Sequence, residues 1–361
     1  MGFQKHKAIV APFAWKGADL QASTEWIRPF GPDELGEIDA ELQSVKQRGL
    51  DWADVTREDF PLPQFSRELA KIGQELETGC GMILLRGLPT GYSPEDLRAV
   101  YWGIGTHLGT AVSQGGRGEL LGIVADEGKA VAATLRRGSK TSGSLPFHGD
   151  RCDVVGLLCV RKAKSGGLSR IVSAAAIHNE ILRRRPDLID VFYADWLNSR
   201  QGDEAPGESR AYPKPIFGFH EGHFTGLFSP AYIRTAQEFP EVPRLSAKQE
   251  EALELFGALA DELVLDMRFE PGDIQLLNNH LVYHARTNYE DHPEPERKRL
   301  LLRLWLAVPG SRPLPKGYDL LFGNTDAGAL RGGVPCSEGW RYVTEWRARR
   351  LAGTSSPRQA N

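Results

Sequence analysis

Between Gly31 and Gly49 the apolar residues Leu35, Ile38, Leu42 and Val45 recur at steps of three and four, which predicts an amphipathic helix closed by Gly49. A second helix is expected over Phe65 to Glu77, and a third begins at Ser93, whose hydroxyl is placed to cap "SPEDLRAVYWGIGTHLG". Between them "GCGMILLRGLP" is a short apolar run bounded by glycines and a proline, the pattern of a buried strand from Met82 to Arg86. Strands are also expected in "FHGDRCDVVGLLCV", "SRIVS" and "LLLRLWLAV". Helices are expected over Ala174 to Arg185, stopped by Pro186, and over "SAKQEEALELFGALADELVLDMRF", which leads into another strand. Glu127 to Pro146, rich in Gly, Ser, Lys and Arg and without a period, reads as a loop. Many short strands among few helices, with no internal repeat, predict a mainly β fold with flanking helices packed outside a double-sheet core.

One stretch resists a simple reading. "PGDIQLLNNHLVYHARTNYE" (271–290) carries His280 and His284 four residues apart, the spacing at which a helix clamps one metal ion. Pro271-Gly272, Asn278-Asn279, Ile274, Val282, Tyr283 and Thr287 are turn and strand residues instead, and predict two short strands kinked at the asparagines. Residues four apart on a strand lie roughly 13 Å from each other, so a metal takes one of these histidines and not both.

Composition narrows the function without naming it. The chain has 361 residues, 41% apolar and 25% charged, with a formal net charge of -3 and the signs mixed, which suits a globular protein and gives no footprint for nucleic acid. Four cysteines without C-x-x-C spacing, Cys80, Cys152, Cys159 and Cys336, point to thiols and a cytoplasmic setting. No stretch is long and apolar enough for a signal peptide or a membrane span.

Chemistry concentrates in two places. In "LPFHGDRCDVVGLL", His148 and Asp150 stand two apart, so on a strand both leave the same face, an imidazole and a carboxylate forming half a metal site. A further histidine completes the 2-His-1-carboxylate triad, which leaves positions open on Fe(II). In "RLLLRLWLAV", Arg299, Arg303 and Trp305 share one face among leucines, and an arginine in such a run is costly without an anion. A hairpin through "NYEDHPEPERK" would set His284 opposite Arg303, with an arginine fork beside the metal for a chelating dicarboxylate. Gln114 and the loop carrying Arg136, Arg137 and Lys140 are candidates to line or cover a pocket for an anionic or amino-acid-like small molecule; self-association stays open.

With these motifs the chain, over roughly Gly79 to Pro309, resembles the taurine dioxygenase and TfdA-like group of Fe(II)/2-oxoglutarate dioxygenases, close in pattern to clavaminate synthase-like proteins. The resemblance places the metal on His148, Asp150 and His284. It gives Arg303 the distal carboxylate of 2-oxoglutarate, sets Arg299 near the other end, and matches Ser169 of "SGGLSRIVS" to a hydroxyl that contacts the cosubstrate. It implies a double-stranded β-helix, the cupin-like jelly roll, spanning 79–325, with an N-terminal helical extension (1–78) and a C-terminal extension (326–361). The implied cofactors are Fe(II), 2-oxoglutarate and O2, and the implied reaction hydroxylates a small molecule with release of succinate and CO2. Gly149 departs from the Thr or Ser usual between the ligands, which leaves room beside the iron or loosens the strand. From the residues alone a zinc-type hydrolase on the same ligands, or a non-catalytic β-barrel binding protein, stays open.

Overall fold

The computed structural model describes residues 6–128, 140–204 and 207–352. Arg136 and Arg137 lie outside the described residues. Two sheets face each other as a jelly roll. The larger has seven strands in the order Ile27–Pro29, Met82–Arg86, Ile274–Asn278, Val154–Arg161, Leu300–Ala307 and Thr110–Ala111, with Leu121–Val124 also on Leu300–Ala307. The smaller has four, Leu265–Met267, Ser169–Ser173, Val282–Arg286 and Leu145–His148. The expected strand at Met82–Arg86 is present with those bounds, and the expected helices form at Pro32–Gln47, Phe65–Thr78, Pro94–Thr106, Ala174–Arg184 and Ala247–Glu262. Ser93 caps its helix as read, its Oγ accepting from the Asp96 N–H. The N-terminal segment is not solely helical, since Ile27–Pro29 pairs in parallel with Met82–Arg86 at the edge of the large sheet.

Period-two alternation explains how the large sheet serves two cores. Leu302, Leu304 and Leu306 turn outward and pack with Ile83, Leu85, Leu158 and Leu276 under the helices Phe65–Thr78 and Pro94–Thr106. Leu301 and Trp305 turn inward with Met82, Leu84 and Val155. Arg299 and Arg303 share that inward parity, so the fold delivers both cations to the space between the sheets.

One expected pairing is overturned. His284 and Arg303 are not hairpin partners: His284 pairs with Ile171 and His148 in the small sheet, and Arg303 with Leu157 and Gly122 in the large one. The intervening residues do not close a turn; Tyr289–Glu290 pairs with Ser165–Gly166, and a 3-10 turn follows at Pro295–Arg297. The chain thus crosses from one sheet to the other, and His284 and Arg303 meet across the sandwich rather than along a ladder.

A buried lysine lies on the strand Ala211–Pro215, which pairs with Asp195–Ser199 outside the two main sheets. Lys214 donates from Nζ to the carbonyls of Pro215 and Leu227, and burial pushes its pKa down to about 7. Above that pH the unfolded chain, with lysine near ~10.4, holds a proton that the fold does not. This group's share of stability therefore rises as pH climbs from about 7 towards 10 and is flat below. Lys214→Met should flatten that part of a denaturation-midpoint profile measured from pH 7 to 9.

Candidate active site

Three side chains from two distant segments of the chain converge between the sheets. His148 ends the strand Leu145–His148, and His284 sits directly opposite it on Val282–Arg286, with ring centres 4.3 Å apart. Asp150 lies just past the strand rather than on it, so the shared-face reading of the H-x-D pair does not hold. Hydrogen bonds place it instead. The Asp150 N–H donates to Asn279 Oδ1 (3.0 Å), and Gly149 N–H donates to the Phe228 carbonyl (2.9 Å). The Asp150 carboxylate lies 3.7 Å from Nε2 of each histidine.

These atoms fit a metal ion. One nitrogen or oxygen from each of His148, Asp150 and His284 lies within 4.8 Å of the others, and no other such trio occurs among the described residues. Bonds of ~2.1 Å at right angles would set ligand atoms about 3 Å apart, so side-chain shifts on the order of 1 Å would close the site around an ion. His148 Nδ1 hydrogen-bonds the Pro146 carbonyl (2.9 Å), which leaves Nε2 as the free ligand atom. Burial, with His148 beside it, pushes the His284 pKa down to about 3, so the ring is a neutral ligand at neutral pH. For Asp150 burial works against ionisation, but Arg303, the two histidines and the Trp305 indole N–H outweigh it and lower its pKa. Trp305 Nε1 donates to Asp150 Oδ2 at 2.8 Å, and Arg303 Nη1 stands 3.5 Å from the same oxygen.

Gly149 neither loosens the strand nor opens space. A Cβ there would stand 2.7 Å from Leu227 Cδ1 and 3.3 Å from the Asn279 carbonyl, so Leu227 already fills the place of a side chain. Gly149→Ala should cost about 1–3 kcal/mol by overpacking. Adding Leu227→Ala should cost less in that background than alone, as read from thermal unfolding.

His280 is not a strand neighbour of His284. It lies in the turn between Ile274–Asn278 and Val282–Arg286, fully buried, with Nε2 2.8 Å from Asp153 Oδ1. Asp153 Oδ1 also accepts from Arg331 Nε (2.7 Å), and Oδ2 from the Val308 N–H (3.0 Å). The ion pair and imidazole pin the crossing between the sheets. His280→Ala is expected to lower stability by on the order of 2–3 kcal/mol while the folded protein keeps its iron stoichiometry.

A cavity of about 330 Å³ opens from the three ligands. Arg299, Arg303, Ser169 and Arg286 line it, together with Gln201, Ser229 and Tyr232. Gln114 is not a lid: it is buried, accepts from Arg303 Nε at 2.8 Å and donates back to the Arg303 carbonyl at 2.8 Å, which fixes that guanidinium. Asn279 and Arg286 join the site without having been expected there. Arg286 was signalled by its place two residues beyond His284, on the same face.

The family model described as "Taurine catabolism dioxygenase TauD, TfdA family" matches residues 45–305. The chain belongs to this family. As a TauD/TfdA protein it is an Fe(II)- and 2-oxoglutarate-dependent dioxygenase acting on a small molecule with O2. Among its relatives, FR-33289 synthase of Streptomyces rubellomurinus is 33% identical over 86% of this chain and 93% of its own length. The taurine hydroxylase-like protein SAT17 of Stachybotrys chartarum is 30% identical over 86% of this chain and 83% of its own. The jelly roll is shared with asparagine oxygenase, solved with Fe(II), 3-hydroxyasparagine and succinate (TM-score 0.62, 18% identity, 78% of this chain and 93% of that one). It is shared too with the non-heme iron oxygenase OrfP, solved with Fe, succinate and (3S)-hydroxy-L-Arg (TM-score 0.59, 14% identity, 78% and 94%). No helix among the described residues of this TauD/TfdA protein is long and apolar enough to cross a membrane.

Proposed function

We propose that His148, Asp150 and His284 hold the iron, that Arg299 and Ser169 receive the distal carboxylate of 2-oxoglutarate, and that Arg303 works at the metal end. The convergence of the three ligand atoms beside Arg303 is the observation that carries this reading. It revises the role expected for Arg303. A chelating 2-oxo acid sets its distal carboxyl carbon about 4 Å beyond the chelating carbonyl carbon, three C–C bonds away. Arg303, in contact with a metal ligand and braced by Gln114, is at the near end. Arg299 lies four residues along the strand, and its Nε comes within 3.4 Å of a Cβ placed on Gly167, two residues before Ser169. Arg299 and Ser169 therefore share the far end.

Held by His148, Asp150 and His284, iron with 2-oxoglutarate and O2 would supply the oxidation of a substrate C–H bond, with succinate and CO2 as coproducts. The protein positions and encloses. Asn279 and Trp305 orient Asp150, Pro146 fixes the His148 tautomer, and the apolar lining of Val124, Leu157, Leu301 and Phe269 excludes water from the cosubstrate. Substrate enters on the side of Gln201, Ser229 and Tyr232, whose polar groups suit an amino-acid-like or anionic molecule, the class to which hydroxyasparagine and hydroxyarginine of the structural relatives belong. The thiols of all four cysteines suit a reducing cytoplasm. Substrate-stimulated succinate release across a panel of amino acids, sulfonates and acyl acids tests the substrate class: stimulation by an amino acid or a small anion is expected, and stimulation by neutral compounds alone would overturn it.

A further inference from the structure

We propose that Arg286 is a second anchor for the distal carboxylate of the cosubstrate, so that this end of the pocket is built from two guanidinium groups rather than one. The proposal rests on the reading of the cavity as a 2-oxoglutarate site and extends it to a residue outside the expected motif.

Arg286 closes the strand Val282–Arg286 two residues beyond His284, so its side chain leaves the same face towards the cavity. Its ladder partner is Ser169, which sets the arginine across from that hydroxyl. Among the described residues only one of its three nitrogens finds a partner. Nη2 donates to the carbonyls of Thr141 (2.6 Å) and Gly143, whereas Nε and Nη1 are buried and lack a hydrogen-bond partner among the described residues. Arg299 Nη1 is buried and unpartnered in the same way.

The two cations are neighbours. Arg286 and Arg299 stand 4.8 and 5.0 Å from the centre of the same Tyr289 ring. Each is only 5% exposed, and neither has a carboxylate in ion-pair contact among the described residues. Of the nearby acids, Asp126 acts on Arg286 and Asp291 on Arg299 only at a distance, and Asp291 Oδ1 accepts from the Arg299 backbone N–H. Buried N–H donors without acceptors are costly, and two like charges in one apolar pocket add to the cost. A carboxylate has two oxygens with about four acceptor sites, enough to receive both arginines and the serine hydroxyl. A role confined to bracing residues 141–143 would employ Nη2 and leave Nε and Nη1 unexplained.

The test compares two 2-oxo acids that share a chelating end. In 2-oxopentanoate a methyl group replaces the distal carboxylate of 2-oxoglutarate. Dissociation constants for both are measured by anaerobic calorimetry on the iron-loaded wild-type, Arg286→Gln and Arg286→Lys proteins. Arg286→Gln should weaken 2-oxoglutarate by on the order of 10- to 100-fold and leave 2-oxopentanoate within about twofold; Arg286→Lys, which keeps the charge and guards against a variant that does not fold, should lie between. Equal losses for the two acids would make Arg286 a structural brace and overturn the proposal, as would no loss for either. A wild-type protein that binds neither acid would instead overturn the cosubstrate assignment beneath it.

Discussion

Asp150→Ala should abolish turnover and weaken iron binding by more than about 100-fold, beyond the cost of losing an outer partner of a metal ligand. Asp150 is the sole carboxylate of the trio and supplies its negative charge. Its removal also takes the acceptor from the Trp305 indole N–H and the nearest anion from Arg303, leaving a buried cation beside two imidazoles. Iron binding and succinate formation, measured on protein shown to be folded, check this. The contrasting substitution is His280→Ala, which removes a histidine four residues from His284 and yet should keep the metal. Equal loss of iron in the two variants would mean that the metal site is drawn wrongly.

Arg299→Gln carries the second large effect. Loss of a buried charge-assisted contact to the distal carboxylate should cost about 2–4 kcal/mol in 2-oxoglutarate binding, roughly 30- to 1000-fold, with iron affinity nearly unchanged. Arg303→Gln should behave differently, because Arg303 touches Asp150 and is held by Gln114. Its removal is expected to disturb iron binding and turnover together. Titration of 2-oxoglutarate against both variants separates the two ends of the pocket. A larger loss of cosubstrate affinity in Arg303→Gln than in Arg299→Gln would return the distal role to Arg303.

The run Met82–Arg86 was legible because flanking glycines and a proline delimit it, and the helices because their apolar periods and caps agree. His148, Asp150 and His284 were legible as residue types at a spacing, and Arg299 and Arg303 as charges inside an apolar strand. What local pattern does not carry is the sheet that each strand joins. The segment between Arg286 and Leu300 has turn-forming residues throughout and reads as a hairpin, but it bridges two sheets, and the proximity of His284 to Arg303 comes from sheet-on-sheet packing. For the same reason the order proposed for the two arginines along the cosubstrate differs from the expected one: it rests on the contact of Arg303 with Asp150, which no local pattern carries. Gln114 and Asn279 act through hydrogen bonds to residues 189 and 129 positions away, which no window of sequence reveals.

Optical titration under strict anaerobiosis tests the central claim most directly. Protein, Fe(II) and 2-oxoglutarate together should give the weak visible charge-transfer band of a chelated 2-oxo acid, absent when any one is omitted and absent in Asp150→Ala; admitting O2 should bleach it and yield succinate. Tight zinc binding with hydrolytic turnover, no visible band and no response to 2-oxoglutarate would contradict the account.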